Sequence, residues 1–502
     1  MDGIHSVVIA GAGPTGLMLA GELALAGVDV AVVERRPSQR LSGTRALGIS
    51  SRTIEVLDQR GIADRFLSAG QVAQVAGFAL TRLDISDFPT RHNYGLALKQ
   101  QHIERILADW VAELGVSILY GRELTGFVQH ASGVEVACAD QRPLRAQYLV
   151  GCDGGRSLVR KTANIDFPGW NPTSSNVLAE VEMTEQPPYG VHRTAAGTYA
   201  FGRTEYEIVG GNVSYKDVGP ILVMVPEPDA TSTIDPTLDD LKAALVALCG
   251  TDYGVHSPTW ISRFTDVTRQ AATYRCGRVV LAGDAAHVHS PIGGQGLSMG
   301  LQDAVNLGWK LAQVIKGTSP DSLLDTYHAE RHPVAARVLK TTMAQVALHR
   351  EDDRTVAARE IVGDLLKMEE PRKHLAGLMS GLDIRYNLGD GHPLLGRRMP
   401  DLDVVTRSGP LRVFRLLHTA QPVLLNLDAP FRIDISQWSD RVQYVEVTYH
   451  GRWELPVLGG IAAPAAVLVR PDGYVAWVDD ARTLGEALTS WFGAPKRDSA
   501  AE

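Results

Sequence analysis

Near the start of the chain an apolar strand, Ser6 to Ala10, runs into the turn Gly11-Ala12-Gly13-Pro14-Thr15-Gly16. A helix follows through Leu17, Leu19, Leu23 and Leu25 and stops near Gly27. A second strand, Val28 to Val33, ends at Glu34. This β-turn-α-β unit predicts parallel strands joined by a crossover helix, hence a doubly wound α/β sheet. In Gly11-x-Gly13-x-x-Gly16 the first glycine allows the tight turn. The second lets a pyrophosphate approach the backbone, and the third lets helix and strand pack closely. Pro14 and Thr15 open the helix, whose bare N–H groups and dipole favour a negative charge by about 0.3–1 kcal/mol. Glu34, 18 residues past Gly16, can accept both hydroxyls of an adenosine ribose and would repel a 2′-phosphate. The turn therefore suits FAD or NAD better than NADP. By itself it does not separate those two from the related fold of methyltransferases.

Two later clusters share the plan of an apolar strand, an acid and small residues. One is Tyr148-Leu149-Val150-Gly151-Cys152-Asp153-Gly154-Gly155-Arg156-Ser157. The other is Arg278-Val279-Val280-Leu281-Ala282-Gly283-Asp284-Ala285-Ala286-His287, followed by Ser290-Pro291-Ile292-Gly293-Gly294-Gln295-Gly296-Leu297-Ser298. Asp284 at a strand end can bond a polyol chain. A helix beginning at Gly296 would aim its N–H groups at a flavin edge that turns anionic on reduction. Gly293, Gly294 and Gly296 let a flat ring approach the backbone.

Between these clusters, from about Asn176 to Phe264, Val177-Leu178-Ala179-Glu180-Val181-Glu182-Met183 alternates with period two. Further β-rich runs occur at Tyr206 to Val209 and Ile221 to Val225, predicting an antiparallel sheet with one wet face. One helix, capped by Thr237, is inserted there. After Ile315 a mostly helical stretch runs to about Leu382. A Gly/Pro/Arg-rich boundary lies near Gly389 to Pro400. Beyond it comes a small α/β unit with Val423 to Leu427 and a hairpin, Ala466 to Arg470 and Tyr474 to Val478.

Composition removes several classes. The 502 residues suggest about three domains. Lys plus Arg is 49 against 57 for Asp plus Glu, a net −8 that argues against nucleic-acid binding. No run of about 18 apolar residues offers a membrane span, and the first strand has no basic leader before it. The four cysteines, Cys138, Cys152, Cys249 and Cys276, are scattered. They argue against a disulfide scaffold or a zinc site and predict a reducing, cytoplasmic setting.

On GAGPTG, CDGGRSLVR and RVVLAGDAAHVHSPIGGQG, the chain resembles the group A flavoprotein monooxygenases of the p-hydroxybenzoate hydroxylase type. Leu301 to Leu311, Arg45-Ala46-Leu47-Gly48 and Arg52 to Gly61 strengthen the match. The match is closest to enzymes acting on aromatic polyketides, and Thr251 to Pro258 and Tyr386 to His392 look like the rifampicin monooxygenase subgroup. The resemblance implies a Rossmann-like FAD-binding domain with a helical extension (1–175 and 266–390) and an inserted antiparallel-sheet substrate domain (176–265). It also implies a C-terminal thioredoxin-like domain (391–502), here without redox cysteines.

It implies bound FAD, transient NADPH or NADH, and O2. One oxygen atom would reach a large aromatic molecule of polyketide or ansamycin type through a flavin C4a-hydroperoxide. Gly11, Gly13, Pro14, Thr15, Gly16, Glu34 and Arg35 would hold the adenosine and pyrophosphate. Arg45 would lie beside the flavin and meet the nicotinamide. Gln100 and Leu124 would run along the FAD, and Asp153 would support the pyrophosphate region. Asp284 would hold the ribityl chain, Pro291 would lie over the reactive flavin edge, and Gly296, Leu297 and Ser298 would face its pyrimidine side. Of these, Arg45 and Pro291 are the catalytic candidates. Ile292 and Ser298 depart from the residues usual at their positions. His287 and His289 read better as loop hydrogen-bonders than as bases, and no metal is implied. Apart from the substrate, no nucleic-acid or membrane partner follows, and a homodimer is left open. Baeyer–Villiger insertion or antibiotic inactivation on the same cofactor remains an alternative, as does, from another class, a non-redox dinucleotide-binding module.

Overall fold

The computed structural model describes residues 4–41, 43, 46–194, 197–203, 206–209, 212–215, 219–232 and 234–496. Strand β1 (Ile4–Ala10) is buried from Val7 onward, and helix α1 (Pro14–Leu25) follows with Pro14 in its first turn. Gly27, at φ +66°, ends the helix. Strand β2 (Val30–Glu34) begins two residues later than expected, because the Val28 N–H is used to close the helix end on Leu23 O at 2.9 Å. Next come α2 (Ser51–Asp58), α3 (Gln100–Glu113), β3 (Ile118–Tyr120), β4 (Leu124–His130), β5 (Gly133–Cys138), β6 (Leu144–Gly151) and the short α4 (Leu158–Thr162).

The chain then leaves this layer for β7 (Ser175–Met183), β8 (Gly190–Thr194), β9 (Gly197–Arg203), β10 (Ile221–Glu227), α5 (Leu238–Cys249) and β11 (Val255–Thr265). It returns through β12 (Val279–Leu281), α6 (Gly296–Ile315), α7 (Asp325–Leu348), α8 (Asp353–Leu365) and α9 (Glu369–Ser380). The last portion holds β13 (Val423–Asn426), β14 (Gln443–Glu446), β15 (Ala466–Val469), β16 (Val475–Val478) and α10 (Leu484–Phe492). Among the described residues no helix is long and apolar enough to cross a membrane.

The parallel part of the first sheet runs β12-β6-β1-β2-β3, β5 and β4 extend it antiparallel from β6, and α1 and α6 pack together against it. The second is antiparallel in the order β8-β9-β10-β7-β11. Tyr206–Val209 is not part of it and pairs instead with Asn212–Tyr215 as a separate ribbon. On β7 the residues Val177, Ala179 and Val181 are buried beneath Leu241 and Leu245 of α5. That helix starts where expected, with a reciprocal cap between Thr237 and Asp240. The third sheet is mixed, β14-β13-β15-β16, with only β13 and β14 parallel. The expected hairpin is its β15–β16 pair.

One face of this third sheet packs on Trp309 of α6. Buried charges complete the joint. Glu330 of α7 receives Lys310 Nζ at 2.9 Å, Asn306 Nδ2 at 2.7 Å, and Arg470 Nη1 and Nη2 at 2.6 and 2.8 Å. Burial alone would raise the Glu330 pKa, but Arg470 and Lys310 outweigh it and hold the carboxyl at about 2. Burial pulls Lys310 down to about 8, so it stays mostly charged at neutral pH. Removing one member of such a set leaves the others as uncompensated buried charge. Glu330→Ala should therefore cost about 3–5 kcal/mol in urea denaturation, and a loss under about 1 kcal/mol would contradict the assignment. The depressed pKa gives the sign with pH. The stabilisation from Glu330 is complete above its unfolded pKa of about 4.3 and is lost as pH falls toward 2, a component the variant should lack.

Candidate cofactor and substrate site

The parallel strands end at one level. Ala10 pairs with Val33 and with Gly151, and Gly151 pairs with Leu281. Turns 11–16, 152–157 and 282–296 therefore leave the same sheet edge, at the carboxyl ends of the strands. They also touch one another. A side chain at Gly11, whose φ is +105°, would overlap the Cys152 carbonyl. A Cβ at Gly283 would stand 2.6 Å from Thr15 Oγ1. Arg160 donates to Ala285 O at 2.9 Å and to Gly155 O at 3.0 Å, tying the second turn to the third.

Around the first turn, Glu34 is 7% exposed and accepts from Ala12 N at 2.8 Å and Arg36 N at 2.9 Å. Burial would raise its pKa, but these bonds and the Arg36 charge outweigh it and hold it below the usual carboxylate range. Arg35 is exposed to solvent. The arginine woven into the turn is Arg36, which also reaches Ala12 O at 3.0 Å and the buried Glu104 at 2.8 Å. Gln100, at the start of α3, donates to the same Glu104 at 2.8 Å. Sequence reading passed over Arg36 and Glu104, whose pairing spans 68 positions. Leu124 opens β4 and is half-buried. Gly13 has nothing within 4 Å of where a Cβ would stand, so the backbone there is open to a ligand.

In the second turn Asp153 is committed to the protein. It accepts from Ser157 Oγ at 2.6 Å and from the Leu158 and Val159 N–H groups at 2.7 and 3.0 Å. In the third, Asp284 is exposed directly after β12, and Pro291, Gly293 and Gly294 are exposed as well. Helix α6 begins at Gly296, as the spacing predicts, with Gly296 and Leu297 half-buried. The Ser298 hydroxyl is buried and accepts from Ser50 N at 3.1 Å, so its side chain ties α6 to α2. Arg45 lies outside the described residues.

Behind this loop stands a buried hub. Asp303 Oδ2 lies 2.7 Å from His287 Nε2 and accepts from Gly283 N at 3.2 Å, and Oδ1 accepts from Arg331 Nε at 2.7 Å. Burial would raise the Asp303 pKa, and Arg331 and His287 more than reverse it. His289 Nδ1 lies 2.7 Å from Ser290 O, and burial lowers its pKa. His287 is thus held by Asp303 and His289 by Ser290 O, while His289 Nε2 has no partner among the described residues and lies beside Gly296.

The second sheet has a face that α5 does not cover. Cross-strand register puts Leu178, Glu180, Leu222, Met224, Trp260 and Phe264 on the face away from α5. The large apolar members are half-buried yet belong to no core cluster. Trp260 covers Gly43, in the segment after β2, so this face looks toward the parallel-sheet layer.

Comparison with known proteins agrees. Residues 5–342 match the family model described as FAD binding domain, and 392–495 match aromatic-ring hydroxylase, C-terminal. The chain belongs to the FAD-dependent aromatic-ring monooxygenases. Anhydrotetracycline monooxygenase of Streptomyces rimosus is 42% identical over 98% of this chain and 99% of that protein. Rifampicin monooxygenase of Streptomyces venezuelae is 43% identical over 98% and 99%. The solved anhydrotetracycline hydroxylase from Streptomyces rimosus superposes with a TM-score of 0.88 at 41% identity, covering 98% of this chain and all of that one. The cofactor of this monooxygenase family is FAD, with NAD(P)H and O2 as its usual co-substrates. An open glycine turn, an exposed acid at Asp284 and the half-open start of a 20-residue helix fit such a nucleotide.

Asp303→Ala would strand Arg331 and release Gly283 and His287 together. The expected outcome is a loss of about 3–5 kcal/mol in urea denaturation with a lower ratio of flavin to protein absorbance. Normal stability with normal flavin content would show that Asp303 does not hold the loop.

Proposed function

We propose that this monooxygenase hydroxylates a large, flat aromatic molecule of polyketide or ansamycin type, held between the three turns and the uncovered face of the second sheet. The observation that carries the reading is that face: large apolar side chains, half-buried, touching no core, turned toward the cofactor layer. Ligand clefts are mostly apolar with a few polar groups, and here Glu180 is the charged residue among them.

The chain's residues divide the work along the nucleotide. Gly11, Gly13, Pro14, Thr15 and Gly16 bring the α1 N-terminus to the pyrophosphate. Glu34 accepts from the adenosine ribose, with Arg36 and Ala12 fixing its carboxylate, while Arg35, Gln100 and Leu124 flank that half. Asp153 acts at one remove by shaping the second turn. Asp284 accepts from the ribityl hydroxyls. The Gly296, Leu297 and Ser298 N–H groups at the α6 N-terminus favour negative charge on the flavin's pyrimidine edge. Pro291 stands on the substrate and nicotinamide side. Bound FAD supplies the redox chemistry, taking two electrons from NAD(P)H and delivering one atom of O2 to an electron-rich carbon. The apolar sheet face positions that carbon and keeps water away from it.

On this reading residues 1–175 and 266–390 form the cofactor domain, 176–265 the substrate domain and 391–502 a thioredoxin-like domain. Support for the last is its strand order, second-first-third-fourth along the chain. Its first pair is parallel, its last is a hairpin, and a closing helix, α10, follows. No cysteine lies beyond Cys276, so that domain carries no thiol redox chemistry.

The test is a panel containing anhydrotetracycline, rifampicin and angucycline-type aglycones, scored by stimulated NADPH oxidation, with each product solved by NMR. NMR is needed because ring hydroxylation and Baeyer–Villiger insertion add the same mass. A hydroxylated ring supports the reading; a ring-expanded ester, or no stimulation by any member, overturns it. Asp284→Ala should weaken FAD binding by about 10- to 150-fold without unfolding the protein, from a charged hydrogen bond worth about 1.5–3 kcal/mol. Unchanged FAD affinity would count against the placement of the ribityl chain.

A further inference from the structure

We propose that Trp260 positions the substrate and that Gly43 positions Trp260. The proposal rests on the reading of the uncovered sheet face as the substrate wall. Trp260 stands on β11 opposite Glu180 of β7, in the row that continues across β10 and β9 as Leu222 and Gly202. Its indole is laid against Gly43 so closely that any side chain at position 43 would overlap Cγ, Cδ2 and Cε2 of the ring. Gly43 is also at φ +78°, where an L side chain is strained regardless of space. The glycine is therefore the seat of the indole, and the contact joins the substrate sheet to the segment that follows β2.

The rest of the face gives this contact its meaning. Phe264 lies four residues further along β11, about 13 Å away at the rise of an extended strand. Three strands across, on β9, the same face carries small residues, Gly202 in the row of Trp260 and Ala200 in the row of Met224 and Leu178. The wall thus has an aromatic rim on the edge strand β11 and a low stretch on β9, with Leu178, Leu222 and Met224 between them. A flat polycyclic molecule fills the low side and stops against the rim. Indole has two side-chain torsions, and seating it on Gly43 removes that freedom before the substrate arrives, so recognition costs little entropy. Trp260 is thus the point at which the substrate's place is set relative to the segment that follows β2.

If the indole is lost or unseated, the substrate still finds an apolar face but sits loosely. Two electrons from NAD(P)H then reduce O2 to hydrogen peroxide with uptake of a proton, and no oxygen enters the ring.

The experiment compares holoenzymes of wild type, Trp260→Phe, Trp260→Ala and Gly43→Ala, each checked for FAD content and thermal melting. The probe is anhydrotetracycline, titrated through the flavin absorbance and then turned over with NADPH while product and peroxide are measured. If wild type shows no binding of it, the member of the earlier panel giving the strongest stimulation replaces it. Trp260→Ala should raise Kd and KM by about 10-fold or more, with a smaller change in kcat and most NADPH diverted to peroxide. Trp260→Phe should recover most of both. Gly43→Ala, which touches no substrate, should reproduce the alanine variant. Kd and peroxide yield unchanged in Trp260→Ala, or a normal Gly43→Ala, overturns the proposal while leaving the wall intact. A wild type that binds no panel member overturns the reading beneath it as well.

Discussion

Everything functional in this chain follows from the register of four parallel strands. Because Ala10, Val33, Gly151 and Leu281 pair in line, three turns far apart along the chain leave the sheet at the same edge and at the same height. Parallel pairing demands crossovers, and the crossover between β6 and β12 carries the entire antiparallel sheet. Both ends of that sheet are therefore anchored on neighbouring strands of the first, β6 and β12.

Buried charge does the second job, fixing how the helices and the last sheet seat on this frame. Asp303 ties α6 to α7 through Arg331 and to the third turn through Gly283 and His287. Glu330 ties α6 and α7 to Arg470 of the hairpin turn. Arg60, after α2, pairs with Glu22 of α1 and reaches Pro471 O at 2.8 Å. Replacing such pairs with apolar residues is often neutral or stabilising, so their presence is poor evidence of stability gained. A shift of the docked elements would leave several of these ions buried without partners, at a cost of several kcal/mol.

The legible parts of the sequence were those written in local rules. The glycine turn needed only its strand, its helix and Glu34. The start of α6 at Gly296, the Thr237 cap and the β15–β16 hairpin were set by neighbouring residues. Residues whose role depends on distant partners escaped. Arg36 was passed over for its neighbour Arg35, because only the fold brings Glu104 beside it. Asp153 is expected from its motif to support the pyrophosphate region, but that its three hydrogen bonds go to Ser157, Leu158 and Val159 of its own loop is visible only in the fold. Ser298 looked like a changed cofactor contact, but its hydroxyl belongs to Ser50. The alternation of β7 marks its odd positions as core, and they are buried against α5, while its even positions form the opposite face of the sheet.

The decisive measurement is a crystal structure of the protein as purified, with its own flavin. One isoalloxazine per chain is expected between residues 291–297 and the even face of β7, with its ribityl chain at Asp284 and its adenosine at Glu34. Flavin density away from the edge where the four strands end, or a ring bound with its adenosine half remote from the first turn, would contradict it.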